Sequence, residues 1–189
     1  MAIRLEKPHS GLLDSYVAAL RTGWSPSNTQ DLSGKHLAAI AANPAAFLAD
    51  YEWQPGRTVE LPSGRVVRRL PGQVYWISDG EFCGFLGLRY QPGTLALPPH
   101  VSGHVGYGVV PWKRRQGIAR AAVLAALPLA RAAGLDKVSI TTSETNIASQ
   151  AVIRSVGGIR APEVDGADDH GAYIGFWVEA DLSAARPRL

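Results

Sequence analysis

The 189 residues, 46% of them hydrophobic and 8% aromatic, suffice for one filled core and are few for two domains. Lys and Arg number 19 against 16 for Asp and Glu, a formal charge of +3 that suits a small phosphate-bearing ligand and disfavours a nucleic-acid partner. The single cysteine, Cys83, excludes an internal disulfide, and no stretch nears the roughly 20 apolar residues that span a bilayer, so a cytoplasmic protein without a membrane partner is expected.

In chain order, an N-terminal part of about residues 1–52 reads as helices and turns. Leu12, Leu13, Tyr16, Val17 and Leu20 fall at helical spacing, a break follows near Trp24 to Asn28, and His36, Leu37, Ile40, Phe47 and Leu48 mark further helix divided at Asn43-Pro44. Trp53 to Arg65 reads as a loop or short irregular hairpin. From Gln73 to Tyr90 alternating apolar residues flank Asp79-Gly80, which predicts a hairpin with a tight two-residue turn. A Gly- and Pro-rich loop over Gln91 to Gly103 leads into a strand from His104 to Val110. A helix is expected from about Gly117 to Ala133, ended by Gly134 and kinked or stopped early by Pro128. Val138 to Thr142 reads as a strand, Asn146 as the cap of a helix to about Val156 ended by Gly157-Gly158, and Tyr173 to Val178 as the last strand. The order predicts an α/β (α+β) single domain over residues 1–189, a mixed sheet flanked by helices.

His104 to Ala119 is the segment that suggests chemistry, because a strand passes through a basic, glycine-containing turn directly into a helix. Free N–H groups of a first helical turn, together with the helix dipole, hold a phosphate without a dedicated side chain. Gly117 lets the phosphate approach, Ala119 keeps the next position small, and Lys113, Arg114 and Arg115 add charge at the rim. An ordinary turn with a solvated basic face is the competing reading. No G-x-x-x-x-G-K-[ST] loop or complete G-x-G-x-x-G pattern is present, which disfavours a kinase or dehydrogenase. No metal site is expected, since His100 and His104 do not share a helix and Cys83 has no cysteine partner.

Arg114-x-x-Gly117-x-Ala119 after a Val-rich strand resembles the acetyl-coenzyme-A loop of the GCN5-related N-acetyltransferase (GNAT) superfamily. Asn146-Ile-Ala-Ser149 is similar to that superfamily's N-x-x-S/A helix start, and the intervening helix and strand match too. The resemblance covers about residues 66–178 and implies a GNAT-like fold with acetyl-CoA as cosubstrate and no metal. It further implies that the strand carrying Val109 and Val110 is splayed and pairs with pantetheine. The loop residues Arg114, Arg115, Gln116, Gly117, Ile118 and Ala119 would then hold the pyrophosphate, with Ser149 along the arm and Asn146 bonding either the arm or the acceptor side of the cleft.

The implied reaction is direct attack of an amine on the thioester, and the amine must first lose a proton. An alkylammonium of pKa about 10.4 is neutral in under about 1% of molecules at pH 7, so a base or water relay is expected. His104 and Glu144 are the candidates, His104 because imidazole titrates near neutral pH. Ile153 and Gly158 depart from the family pattern; Ile153 stands where many members carry the tyrosine that protonates the leaving thiolate, leaving Tyr173 and Tyr107 as substitutes. The implied partner is a small-molecule amine or an exposed protein amine, and a homodimer stays open. A non-catalytic acyl-CoA-binding or sensing module is the alternative that Ile153 keeps in play.

Overall fold

A computed structural model describes residues 2–27, 30–54, 56–61, 63–168 and 171–181; Asn28 and the C-terminal end of the expected domain lie outside them. One eight-stranded sheet runs β1-β4-β5-β6-β7-β10-β8, with β9 paired to β10. Its strands are β1 (Arg4–Glu6), β4 (Gly72–Ser78), β5 (Phe82–Arg89), β6 (Val105–Val109), β7 (Lys137–Thr142), β8 (Ile159–Arg160), β9 (Gly166–Asp168) and β10 (Gly171–Glu179). β2 (Thr58–Glu60) and β3 (Val66–Arg68) form a separate hairpin. Every pairing is antiparallel except β6 with β7.

Alternation along β4 and β5 sorts side chains to two faces. Ile77, Leu86, Leu88, Val105 and Val109 pack with α4 (Ile118–Ala132) and α5 (Ile147–Ser155) in one core. Trp76 and Phe85 turn the other way, toward α1 (Leu13–Arg21), α2 (Ser33–Ala42) and α3 (Pro44–Ala49). On α4 the buried residues Ile118, Ala122, Val123, Ala126, Leu127 and Ala130 recur at helical spacing, the pattern of one apolar stripe. Asn43 Oδ1 caps α3 by accepting the Ala46 N–H at 3.0 Å, and Pro44 opens that helix, which accounts for the division the sequence predicts.

Four expectations need correction. The N-terminus begins with the three-residue strand β1, whose Arg4 to Glu6 pair with Ser78 to Trp76, ahead of the helices. β8 and β9 are further short strands outside the sequence reading. The β4–β5 turn spans three residues, Asp79 to Glu81, and Ser78 pairs with Phe82 while Ile77 pairs with Gly84, leaving Cys83 as the extra residue of a bulge. Asp79 causes this, since its Oδ1 both accepts the Glu81 N–H at 3.2 Å and binds Lys113 Nζ at 2.8 Å. Finally, α4 runs through Pro128 to Ala132 without an early end. Pro128 sits on the exposed side, where water can serve the carbonyl that loses its partner.

Candidate active site

β6 and β7 are joined at one register pair only, Val105 with Ile140. β5 holds the other edge of β6 from Val105 to Val109, through the even-numbered residues: His104 O accepts from Arg89 N–H at 2.9 Å, and Val110 N–H donates to Cys83 O at 2.9 Å. In an antiparallel ladder the intervening residues point their backbone groups away. Tyr107 and Val109 therefore turn theirs toward a wedge that opens between β6 and β7. Val110 does not: it is buried, its N–H is bound to Cys83 and its carbonyl accepts the Lys113 N–H at 3.0 Å. Of the two residues expected to face pantetheine, Val109 thus turns to the wedge, beside Tyr107, and Val110 does not.

The loop after β6 turns its backbone to the same wedge. Arg115 has φ 63°, the only positive φ outside glycine among the described residues, and Gly117 has φ 76°. Left-handed residues in such a turn converge successive N–H groups into an anion-binding concavity. α4 then starts with no side-chain cap and no acidic residue in its first turn. Its first intrahelical bond runs from Ala121 N–H to Gly117 O at 3.0 Å, so the N–H groups of Ile118, Ala119 and Arg120 have no helical acceptor. About half a positive charge is thereby presented to the wedge. By contrast α5 is capped within the chain, Asn146 Oδ1 accepting the Ser149 N–H at 3.0 Å.

A cavity of about 530 Å³ occupies this place. Tyr107, Gly108 and Val109 form one wall, Arg114, Arg115, Gly117, Ile118 and Ala119 the end, and Asn146, Ser149 and the outward side of α5 the other wall. The structure so brings together most of the sequence-predicted cofactor residues. Gln116 and Val110 are apart from the lining; the Gln116 amide donates to Trp112 O at 3.4 Å. Arg114 lines the cavity while its Nε binds Val109 O at 3.0 Å, bracing the loop against the strand. Lys113 is ion-paired with Asp79 at 2.8 Å and Glu81 at 3.3 Å, so its charge ties the loop to the β4–β5 turn. The Lys113 ammonium bound to Asp79 also holds that carboxyl below its usual range. Arg120 adds a cation that the sequence reading missed, one position past the matched motif.

Residues 39–158 match the acetyltransferase (GNAT) family. The chain belongs to that family. No curated protein matches it in sequence. Among solved structures it is similar to RimJ of Mycobacterium smegmatis in complex with CoA-disulfide, at TM-score 0.60 and 20% identity over 97% of this chain and 88% of that one. It is also similar to RimL, a ribosomal L7/L12 alpha-N-protein acetyltransferase in complex with coenzyme A, at TM-score 0.56 and 15% identity over 96% and 97% of the two chains. A third likeness is to an acetyltransferase from Agrobacterium tumefaciens str. C58, with TM-score 0.55 and 15% identity over 94% and 90%. At these identities the likeness is one of fold.

Within this GNAT fold the expected catalytic residues are scattered. His104 is fully buried at the apex of the wedge, one residue before the only β6–β7 pair. Its Nδ1 lies 2.7 Å from Ser139 Oγ and accepts the Ser139 N–H at 3.1 Å. Burial, aided by the Arg89 charge, lowers its pKa to about 4. Such a ring is sealed from an incoming amine, so the geometry gives His104 a role in joining the strands in place of the expected role as base. Glu144 is exposed just past β7. Tyr173, on β10, packs its ring over Gly166, and the pairing of Ile174 with Thr142 sets it at the same end of the sheet as Glu144. Ile153 is buried in the core and touches the place a Gly158 side chain would need, 2.4 Å from its Cβ position. The two departures from the family pattern are therefore one packing solution. Tyr107 is the tyrosine that reaches the wedge: its hydroxyl is 3.0 Å from Ser149 Oγ, and burial raises its pKa although the Ser149 bond lowers it in part.

Among the described residues no group of three or more His, Cys, Asp or Glu can hold a metal, and no helix is long and apolar enough to cross a membrane.

Proposed function

We propose that this GNAT acetyltransferase moves the acetyl group of acetyl-CoA to a primary amine by direct attack on the thioester. The observation that carries the reading is the β6 edge, unpaired beyond Val105, running into the uncapped start of α4. An extended arm with amides pairs with such an edge as a missing strand would, and a pyrophosphate fits the helix start. In this reading Tyr107 and Val109 bind pantetheine, and Arg115, Gly117, Ile118 and Ala119 hold the pyrophosphate.

Glu144 stands in the turn just past the end of β7, two residues before Asn146 of the cavity wall. Glu144 receives the ammonium proton through water, and Tyr107, with its hydroxyl on Ser149, supplies a proton to the departing thiolate. The second proton, shed by the attacking nitrogen as the amide forms, returns Tyr107 to its neutral form, so the acetyl group ends on the amine, the thiolate leaves as free thiol and one net proton passes through Glu144 to solvent. The likeness to RimL, described as an alpha-N-protein acetyltransferase of ribosomal L7/L12, favours an α-amino group as acceptor. Thiol release from acetyl-CoA on adding amines, with acetylated product detected by mass, tests the reading. Tight acetyl-CoA binding with no product from any amine would instead favour the non-catalytic binding or sensing module.

A further inference from the structure

The face of the sheet under α1 to α3 carries a second cavity, of about 200 Å³, walled by Tyr16, His36, Tyr51, Val74, Trp76 and Phe85. Tyr16 stacks on Trp76 at 4.6 Å between centroids. The polar atoms in this wall bond one another: Tyr16 Oη lies 2.6 Å from His36 Nδ1 and 3.4 Å from Tyr51 Oη. Burial lowers the His36 pKa, with Lys35 adding to it, and burial raises those of both tyrosines, so the wall is uncharged. A cavity of roughly 150 Å³ accepts benzene, so this one takes an aromatic ring or a branched aliphatic chain and rejects a charge.

From the cavity a floor without side chains leads toward the wedge. Val74 pairs with Gly87, Gly87 pairs with Gly106, and Gly108 lies beneath Phe85, all on one face. A Cβ built on Gly87 would meet only the Gly106 carbonyl, at 4.0 Å, and one on Gly106 would meet only Arg89 Nη2, at 3.7 Å. One cation thus stands over an otherwise open floor, next to Tyr107. Arg89 Nε donates to Gly103 O at 2.7 Å, and among the described residues no carboxylate pairs with its guanidinium. Burial lowers its pKa with no anion opposing the shift. A half-buried guanidinium without a carboxylate partner keeps N–H donors that a carboxylate binds through its fork.

We infer that the acceptor is a free α-amino acid with an uncharged, apolar side chain, its carboxylate on Arg89 and its side chain in the Tyr16–Tyr51–Trp76–Phe85 cavity. Gly106 and Gly108 are two residues apart on one strand, about 6.7 Å, so the guanidinium and the Phe85 ring are separated by the span of such a molecule. The α-amine then lies against the Tyr107 backbone, across the β6 edge from the Tyr107 hydroxyl, where the thioester end of the arm is expected. No acidic side chain lines the cavity, which argues against a diamine, and a protein N-terminus lacks the α-carboxylate.

This inference rests on the amine-transfer reading, and one assay separates their failures. Thiol release is followed with leucine, methionine and phenylalanine, with their amides, with short peptides beginning in the same residues, and with glutamate and lysine. The free apolar acids are expected to exceed their amides by roughly 10- to 100-fold in kcat/KM. In Arg89→Gln that preference disappears while acetyl-CoA affinity, read by calorimetry, stays within about threefold. Amides or peptides used as well as the acids, or glutamate and lysine preferred, overturns the inference and leaves amine transfer standing. No product from any amine, with acetyl-CoA still bound, overturns both. Should Arg89→Gln fail to fold, the acid-to-amide ratio of the unaltered chain decides alone.

Discussion

His104 Nδ1 accepts the Ser139 N–H, a bond the protonated ring cannot make, so acid weakens the wedge apex. With a folded pKa of about 4 against 6.5, the unfolded chain binds more protons between those values. Its contribution is complete above pH 6.5 and is lost as pH falls toward 4. Between pH 7 and pH 5 this residue should remove about 2 kcal/mol, measured as the difference in urea-unfolding free energy between the natural chain and His104→Gln. Equal slopes in the two proteins would refute the role. A second test concerns Glu144. Glu144→Gln should lower kcat/KM at pH 7 by about tenfold or more, with the deficit shrinking above pH 9 as the amine arrives neutral. A deficit independent of pH would contradict proton transfer. Tyr107→Phe should lower kcat by roughly 100-fold with little change in acetyl-CoA affinity if its hydroxyl serves the thiolate. These roles were poorly legible in the sequence. His104 reads as a neutral-pH base because imidazole titrates there, and only the fold shows it walled in; the Tyr107–Ser149 contact joins residues 42 positions apart.

At the scale of elements, α4 and α5 differ in how their first turns are satisfied. Asn146→Ala removes the α5 cap and should cost about 1 kcal/mol in thermal or urea unfolding. The start of α4 has no such residue to lose. Its vacant N–H groups predict stabilisation by ligand instead: coenzyme A at about 100 times its Kd should add about 2.7 kcal/mol to unfolding. This contrast was legible from sequence, since a cap and a glycine turn act within four residues of where they stand. β1 and β8 were not, because three-residue and two-residue strands carry no periodicity and exist through distant partners, Trp76 to Ser78 and Phe176 to Trp177. The three-residue β4–β5 turn escaped for a related reason. Lys113 holds Asp79 from 34 residues away.

Across the whole molecule, the sheet has two cores that meet the β6 edge from opposite faces. α4 and α5 pack on the face that presents the wedge, while α1 to α3 roof the aromatic cavity on the other. The glycines at 87, 106 and 108 add no side chains between them, and only the Arg89 guanidinium and the Phe85 ring reach over that face. The order of strands and helices in the second half was readable, since each strand–turn–helix unit carries its own signals. The wedge was not derivable from those residues alone, because it depends on where β7 stops pairing, and the resemblance to the GNAT superfamily supplied that expectation.

Calorimetric titration with acetyl-CoA of the natural chain, Gly117→Ala and Gly117→Glu tests the central claim most directly. At φ 76° both substitutions share the left-handed strain of about 1 kcal/mol, and only glutamate adds negative charge where the pyrophosphate is to sit. The expected result is micromolar-range binding by the natural chain, a modest loss in Gly117→Ala, and loss of 100-fold or about that in Gly117→Glu with its fold intact by circular dichroism. No binding by the natural chain, or equal binding by the glutamate variant, would contradict a cofactor held at the start of α4.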